Sequence, residues 1–181
     1  MTRQRTVALC YSRHPFEDGD KAWAVRVALC LTERGHQIDL VTVPMVGADA
    51  DSIVATALRW RSVELRRVGR TRVDLAVCGD AAAAFVGHPS RVIWLERHDH
   101  ESGGLAAALS HGSDTAAGRL TASAIANAAA VVVGSRDDGL RLGRRFEAAR
   151  GKVTSADEYL SSLPVLVLAG APDDSAKGGS A

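Results

Sequence analysis

The sequence predicts an α/β fold, a single doubly wound, Rossmann-like domain with a mainly parallel sheet. Three observations predict it. Short runs such as Thr6 to Tyr11 (TVALCY), Arg91 to Leu95 (RVIWL) and Ala130 to Val133 (AVVV) are hydrophobic almost without a break, as strands buried on both faces are. About ten to twenty residues of helical pattern separate such runs, which is the rhythm of βαβ units. Aromatic residues make up 4% of the chain while Ala and Val abound, which favours helices on a parallel sheet over an aromatic-rich sandwich. At 181 residues there is room for one domain with a real core. The expected domain covers residues 1–170, and residues 171–181, rich in Gly, Ser and charge, are expected to be a disordered tail.

The elements follow in order. Thr6 to Tyr11 is the first strand, and the loop from Ser12 to Gly19 contains Pro15. Asp20 is a suitable N-cap for a helix from Lys21 to about Arg34, in which Ala24, Val27, Ala28 and Leu31 form a core-facing stripe. Gly35 stops that helix where a left-handed residue is needed. Gln37 to Val43 (QIDLVTV) is the second strand, closed by Pro44. Asp51 or Ser52 caps a helix reaching about Arg67, and Arg72 to Cys78 (RVDLAVC) is the third strand, followed by a small helix around Ala81 to Val86. Arg91 to Leu95 is the fourth strand. A polar loop from Glu96 to Gly104 leads to an Ala-rich stretch, helical in two pieces broken near Gly112 and Gly118. Ala130 to Val133 is the fifth strand, with a helix from Ser135 to about Ala149. Leu163 to Ala169 (LPVLVLA) reads as a sixth strand, confined by Pro164 to a sheet edge or a strand start.

Bulk chemistry excludes several classes. A net charge of +1 gives no electrostatic reason to expect nucleic acid as a partner. Cys10, Cys30 and Cys78 are odd in number, lack CxxC spacing and sit in apolar runs, so buried free thiols are expected. No signal-peptide h-region and no run of membrane-spanning length is present, and a cytoplasmic protein is expected.

Two loops concentrate the candidate chemistry, and both follow strands at the carboxyl edge where such sheets place ligands. The first runs Ser12-Arg13-His14-Pro15-Phe16-Glu17-Asp18-Gly19-Asp20. It lacks the glycine pattern of a dinucleotide or phosphate loop, and its carboxylates would repel a pyrophosphate. Its readings are a capped loop without a ligand or an acceptor-binding loop. The second, Glu96-Arg97-His98-Asp99-His100-Glu101, is the densest cluster of acid, base and imidazole in the chain. It reads as a general acid/base or acceptor-binding site, as a solvated loop, or as a metal site that lacks an obvious distant partner. Arg59, Arg61, Arg66, Arg67, Arg70 and Arg72 crowd the end of a helix and the turn after it, either as a solvated face or as a dock for a phosphate or lipid headgroup. Trp23, Trp60 and Trp94 are expected in the core or at an interface.

Four stretches carry a resemblance. Ala28-Leu29-x-Leu31-Thr32-Glu33-Arg34-Gly35-His36-Gln37-Ile38-Asp39-Leu40-Val41-Thr42 looks like a helix running into an L-x-x-R-G-H-x-V-x-V-x-T strand. Val73-Asp74-Leu75-Ala76-Val77-Cys78 resembles a D-V-V strand. His88-Pro89-Ser90-Arg91-Val92-Ile93-Trp94-Leu95 is similar to an H-P-x-K-V-x-W-L segment. Ala130 to Ser135, with Arg141-Leu142 beyond it, looks like an S-x-x-x-x-x-R-L strand and helix. In this order, over residues 6–146, they resemble the N-terminal domain of family 4-type GT-B glycosyltransferases.

The resemblance implies an acceptor-side domain of a sugar-nucleotide-dependent transferase, with the donor-binding domain and its E-x7-E motif outside these residues. It implies a sugar nucleotide as co-substrate and no other cofactor. Its partners would be a small-molecule acceptor and a second transferase subunit or a homodimer, with neither nucleic acid nor a membrane span. His98 and His100 are the expected catalytic residues, and His14, Gly19, Asp20 and Arg97 the expected substrate-binding ones. Two departures stand out. Gly19-Asp20 replaces the family's Gly-Gly pair, adding bulk and negative charge, and Arg97 takes the register of the family histidine, with His98 one residue later. The alternative expectation is a non-catalytic binding or oligomerisation module derived from such a domain, and a third is an unrelated small enzyme using residues 96–101.

Overall fold

The computed structural model describes residues 4–13, 22–45, 47, 49–69, 71–95, 105–110, 112 and 114–169. Strands β1 (Thr6–Arg13), β2 (Gln37–Pro44), β3 (Arg67–Val68), β4 (Thr71–Arg72), β5 (Leu75–Cys78), β6 (Arg91–Leu95), β7 (Ala130–Val133) and β8 (Val153–Ser155) follow one another along the chain. Helices are α1 (Ala22–Glu33), α2 (Ala50–Arg61), α3 (Leu105–Ser110), α4 (Ala116–Asn127), α5 (Arg136–Arg145) and α6 (Ala156–Ala169). Six strands form one sheet in the order β2-β1-β5-β6-β7-β8, and every pairing in it is parallel. The short β3 and β4 form a separate antiparallel hairpin.

Alternation along the strands sends successive side chains to opposite faces, and two cores result. Ala8, Cys10, Ala76, Cys78, Ile93 and Val131 face one layer with Trp60, Ile125 and Leu142. Val7, Leu9, Tyr11, Val77, Trp94 and Val132 face the other with Trp23, Val27, Leu31 and Tyr159. Helices α1 and α6 therefore cover one face, and α2, α4 and α5 the other. This is the doubly wound arrangement that the buried runs predict.

The Arg34-Gly35-His36 stretch has a local physical cause. Gly35 adopts φ 80°, its N–H bonds to Thr32 O at 2.9 Å, and His36 N–H reaches back to Leu31 O at 3.0 Å. That pair of bonds is the Schellman stop, and it needs a residue tolerant of the left-handed region.

Several expected boundaries shift. Helix α2 is capped by Asp49, not Asp51 or Ser52: its carboxylate accepts the Ser52 N–H at 2.9 Å and the Ser52 hydroxyl at 2.7 Å. It ends at Arg61 because Ser62 turns back on Arg59 and Trp60, and the arginine-rich residues beyond it form the β3–β4 hairpin. Gly118 does not break a helix: it is buried inside α4, and Thr115 caps that helix through the Gly118 N–H at 3.0 Å. The small helix after the third strand is a 3-10 turn at Ala83–Phe85. Residues 163–169 are not a strand but the second half of α6, and the sixth strand is Val153–Ser155. Gly151, at φ 78°, turns the chain so that Val153 to Ser155 pair with β7. A three-residue strand needs no apolar run to announce it. Cys10 and Cys78 are buried free thiols as expected, whereas Cys30 is only half-buried. No helix among the described residues is long and apolar enough to cross a membrane.

Candidate functional site at the carboxyl edge

Strand order reverses direction at β1: β2 lies on one side of it and β5 on the other. The crevice beyond the carboxyl ends of β1 and β5 is thus the topological switch point, the place where open parallel sheets bind ligands. It is built from Ser12 and Arg13 at the end of β1 and from Gly79 and Asp80 after β5.

Asp80 organises this point. Its carboxylate accepts the Ser12 N–H at 2.7 Å and the Ser12 hydroxyl at 3.1 Å. It also accepts the Ala83 N–H at 2.8 Å, capping the 3-10 turn. Trp60, from the helix layer over this face, donates its indole N–H to Ser12 Oγ at 3.0 Å. Asp80 and Ser12 are both buried, and the donors around the Asp80 carboxyl group offset the cost of enclosing it. Its oxygens are committed to holding two strand ends, so Asp80 is a positioning residue and not a free base.

Gly79 sits against the other core. A Cβ there would stand 2.1 Å from Trp23 Cζ2 and 3.0 Å from Trp23 Nε1, so no side chain fits. Trp23 stacks on Trp94 with centroids 6.2 Å apart and planes 21° apart. Tyr11 meets Trp23 edge-on at 6.0 Å, and Tyr159 meets Trp94 edge-on at 5.9 Å. Four rings thereby link β1, α1, β6 and α6 in one row. Burial pushes the Tyr159 hydroxyl well above its usual range. The indole N–H groups of Trp23 and Trp94 are buried and find no acceptor among the described residues, and that of Trp23 lies beside Gly79 at the switch point.

Other reactive-looking groups are structural. The Cys78 thiol is held well above its ordinary pKa by its contact with Cys10 and by burial, so it is no nucleophile. His88 is a tie between strands: its Nδ1 lies 2.7 Å from Ser90 O and 3.1 Å from Ser90 N, and its Nε2 lies 3.1 Å from Val73 O. His36 lies before β2, at the amino end of the sheet, with both ring nitrogens lacking partners among the described residues. Burial lowers its pKa first, and Arg5 and Arg34 push the same way. Neither imidazole belongs to the carboxyl edge.

The expected catalytic His98 and His100 and the expected binding residues His14, Gly19, Asp20 and Arg97 all lie outside the described residues. The chain enters 14–20 from the end of β1 and 96–101 from the end of β6, so both stretches begin at one edge of one parallel sheet. Sequence reasoning missed Ser12, Trp60, Gly79 and Asp80 as a group. The available signal was a Gly-Asp pair directly after a buried strand. Among the described residues no group of three or more His, Cys, Asp or Glu is placed to hold a metal. What the described edge supplies is shape and hydrogen-bond positioning.

The S-x-x-x-x-x-R-L stretch also has a defined role here. Ser135 caps α5 by accepting the Asp138 N–H at 3.2 Å while its hydroxyl donates to Asp138 Oδ2 at 2.8 Å. Leu142 is fully buried in the core, whereas Arg141 is exposed. No protein-family model matches the chain, and no curated protein matches it.

Proposed function

We propose that these residues are the acceptor-side domain of a glycosyltransferase of the GT-B, family 4 type, working with a donor-binding domain or subunit that binds the sugar nucleotide. The observation that carries this reading is the switch point: a doubly wound parallel sheet whose β1–β5 crevice is braced by Asp80 and floored by Gly79. The ordered motif set of residues 6–146 supports it. In this reading the loops after β1 and β6 contribute Gly19, Asp20, His14 and Arg97 to acceptor binding and His98 and His100 to proton transfer. Cytoplasmic residence fits the free thiols. The donor side would supply the cations that stabilise a departing diphosphate. The test mixes the chain with donor-domain subunits and radiolabelled sugar nucleotides. Label should reach a small-molecule acceptor only when both proteins are present. Neither complex nor transfer across the panel overturns the proposal.

A second reading is a non-catalytic association module, favoured by one observation. Val25 and Leu29, one turn apart on α1, are 44% and 61% exposed and share a shallow surface with Ala22 and Cys30. Under this reading Leu29→Lys lowers the solution mass from dimer to monomer; an unchanged mass removes it.

A further inference from the structure

A second site lies at the amino ends of β5 and β6, away from the switch point. A groove of about 900 Å3 is lined by Arg61 and Ser62 from the end of α2, by Glu64, Arg66 and Arg67, by Arg72 and Val73 before β5, and by Gly87, His88 and Pro89 before β6. Four guanidinium groups thus share one concavity with a single carboxylate among its described lining residues, in a chain whose net charge is only +1. That carboxylate, Glu64, pairs with Arg66 at 3.0 Å, with both side chains well exposed, so the pair is screened and easily exchanged.

The floor is rigid. Gly87 bonds to Val63 O through its N–H at 2.8 Å and receives the Leu65 N–H at 3.2 Å. A Cβ at Gly87 would lie 3.1 Å from Val63 O, so the strip cannot take a side chain without shifting backbone. The His88 ring is held between Val73 O on one side and the Ser90 backbone on the other, locking the other bank. The arginines are therefore mounted on fixed backbone around an open concavity. Like charges gathered this way repel one another, and an anion that bridges them recovers that energy.

We infer that this groove binds a ligand bearing two or more phosphate groups. Guanidinium forks match phosphate oxygens two at a time, and four of them exceed what one monoanion can engage. Among the described lining residues there is no Phe, Tyr or Trp, and the one aromatic ring, His88, is buried and held against Val73 and Ser90, so the groove offers no open platform for stacking nucleic-acid bases. The site is independent of the proposed transferase reading.

The experiment titrates the whole chain at low salt with inorganic pyrophosphate, by calorimetry and by thermal shift. Pyrophosphate binds and raises the melting temperature, because a ligand bound only by the native state must do so. The R61Q/R67Q/R72Q variant, whose changes lie at exposed positions, loses affinity by about tenfold or more. Glu64→Gln, which removes the competing carboxylate, tightens binding, while Arg119→Gln on α4 leaves it unchanged. Vesicles of phosphatidylcholine with and without a bisphosphorylated lipid locate the source. Pyrophosphate-competed retention on the phosphorylated vesicles assigns a headgroup, and no retention assigns a soluble ligand. Absence of pyrophosphate binding, binding unaffected by the triple variant, or binding of a single-stranded oligonucleotide alone overturns the inference.

Discussion

The Asp80 carboxylate accepts the backbone N–H of Ser12 at 2.7 Å across 68 positions of sequence, and so fastens the ends of two neighbouring parallel strands where the strand order reverses. Asp80→Ala leaves the Ser12 and Ala83 N–H groups buried without an acceptor. The expected loss is about 3 kcal/mol of unfolding free energy, read from urea denaturation midpoints. A loss below about 1 kcal/mol would mean that water replaces the carboxylate and that the brace is not structural.

Gly79 and Trp23 can occupy the edge together only because one of them has no side chain. Gly79→Ala should destabilise by about 2 kcal/mol or more through overpacking. In a Trp23→Leu background the same substitution should cost much less, which a double-mutant cycle measures. Additive losses would show that the two residues do not contend for the same space.

Stability should fall on the acid side through His36. Its pKa is lowered in the folded protein, chiefly by burial, so the unfolded chain takes up the proton first. The contribution is therefore intact above the ordinary imidazole value of about 6.5 and is lost as pH drops below it toward the folded value. His36→Gln should flatten the change in unfolding free energy between about pH 7.5 and about pH 5.5. A parent and variant with equal slopes would assign the acid sensitivity elsewhere.

Thiol chemistry should separate the cysteines. Cys10 and Cys78 are buried, and Cys30 is half-exposed on α1 with the Arg34 guanidinium against its sulfur. A disulfide reagent at neutral pH should titrate one thiol quickly in the native protein and three in denaturant. Cys30→Ser should abolish the fast phase; persistence of that phase would show that the sheet core opens readily.

Helix α5 depends on its first turn. Replacing Ser135 by Ala removes the acceptor of the Asp138 N–H and should cost about 1 kcal/mol, whereas Ser135→Asp should restore part of it. Equal stabilities for all three proteins would show that the cap is idle.

The sheet was legible because its central strands carry their burial in their composition. TVALCY, RVIWL and AVVV have no solvent face to supply polar residues, and each became a strand. The third strand split, since Val73 and Asp74 form the step between a surface hairpin and Leu75–Cys78. Val153 to Ser155 was illegible: its three residues are only half-buried, and neighbouring β7 makes them a strand. The LPVLVLA run misled for the opposite reason. A short apolar stretch has no period that separates strand from helix, and the turn begun at Ala156 and Tyr159, both buried, carries on through it. At the site, sequence reasoning favoured the polar loops and passed over Asp80, whose role exists only once β1 and β5 lie side by side.

The three tryptophans of the chain converge on that same place: Trp60 bonds to Ser12, Trp23 abuts Gly79, and Trp94 stacks on Trp23. The molecule's entire indole emission thus originates in contact with the two strand ends or one ring removed from them. A shift of either strand end would therefore change the surroundings of an indole, which intrinsic fluorescence reads without a label.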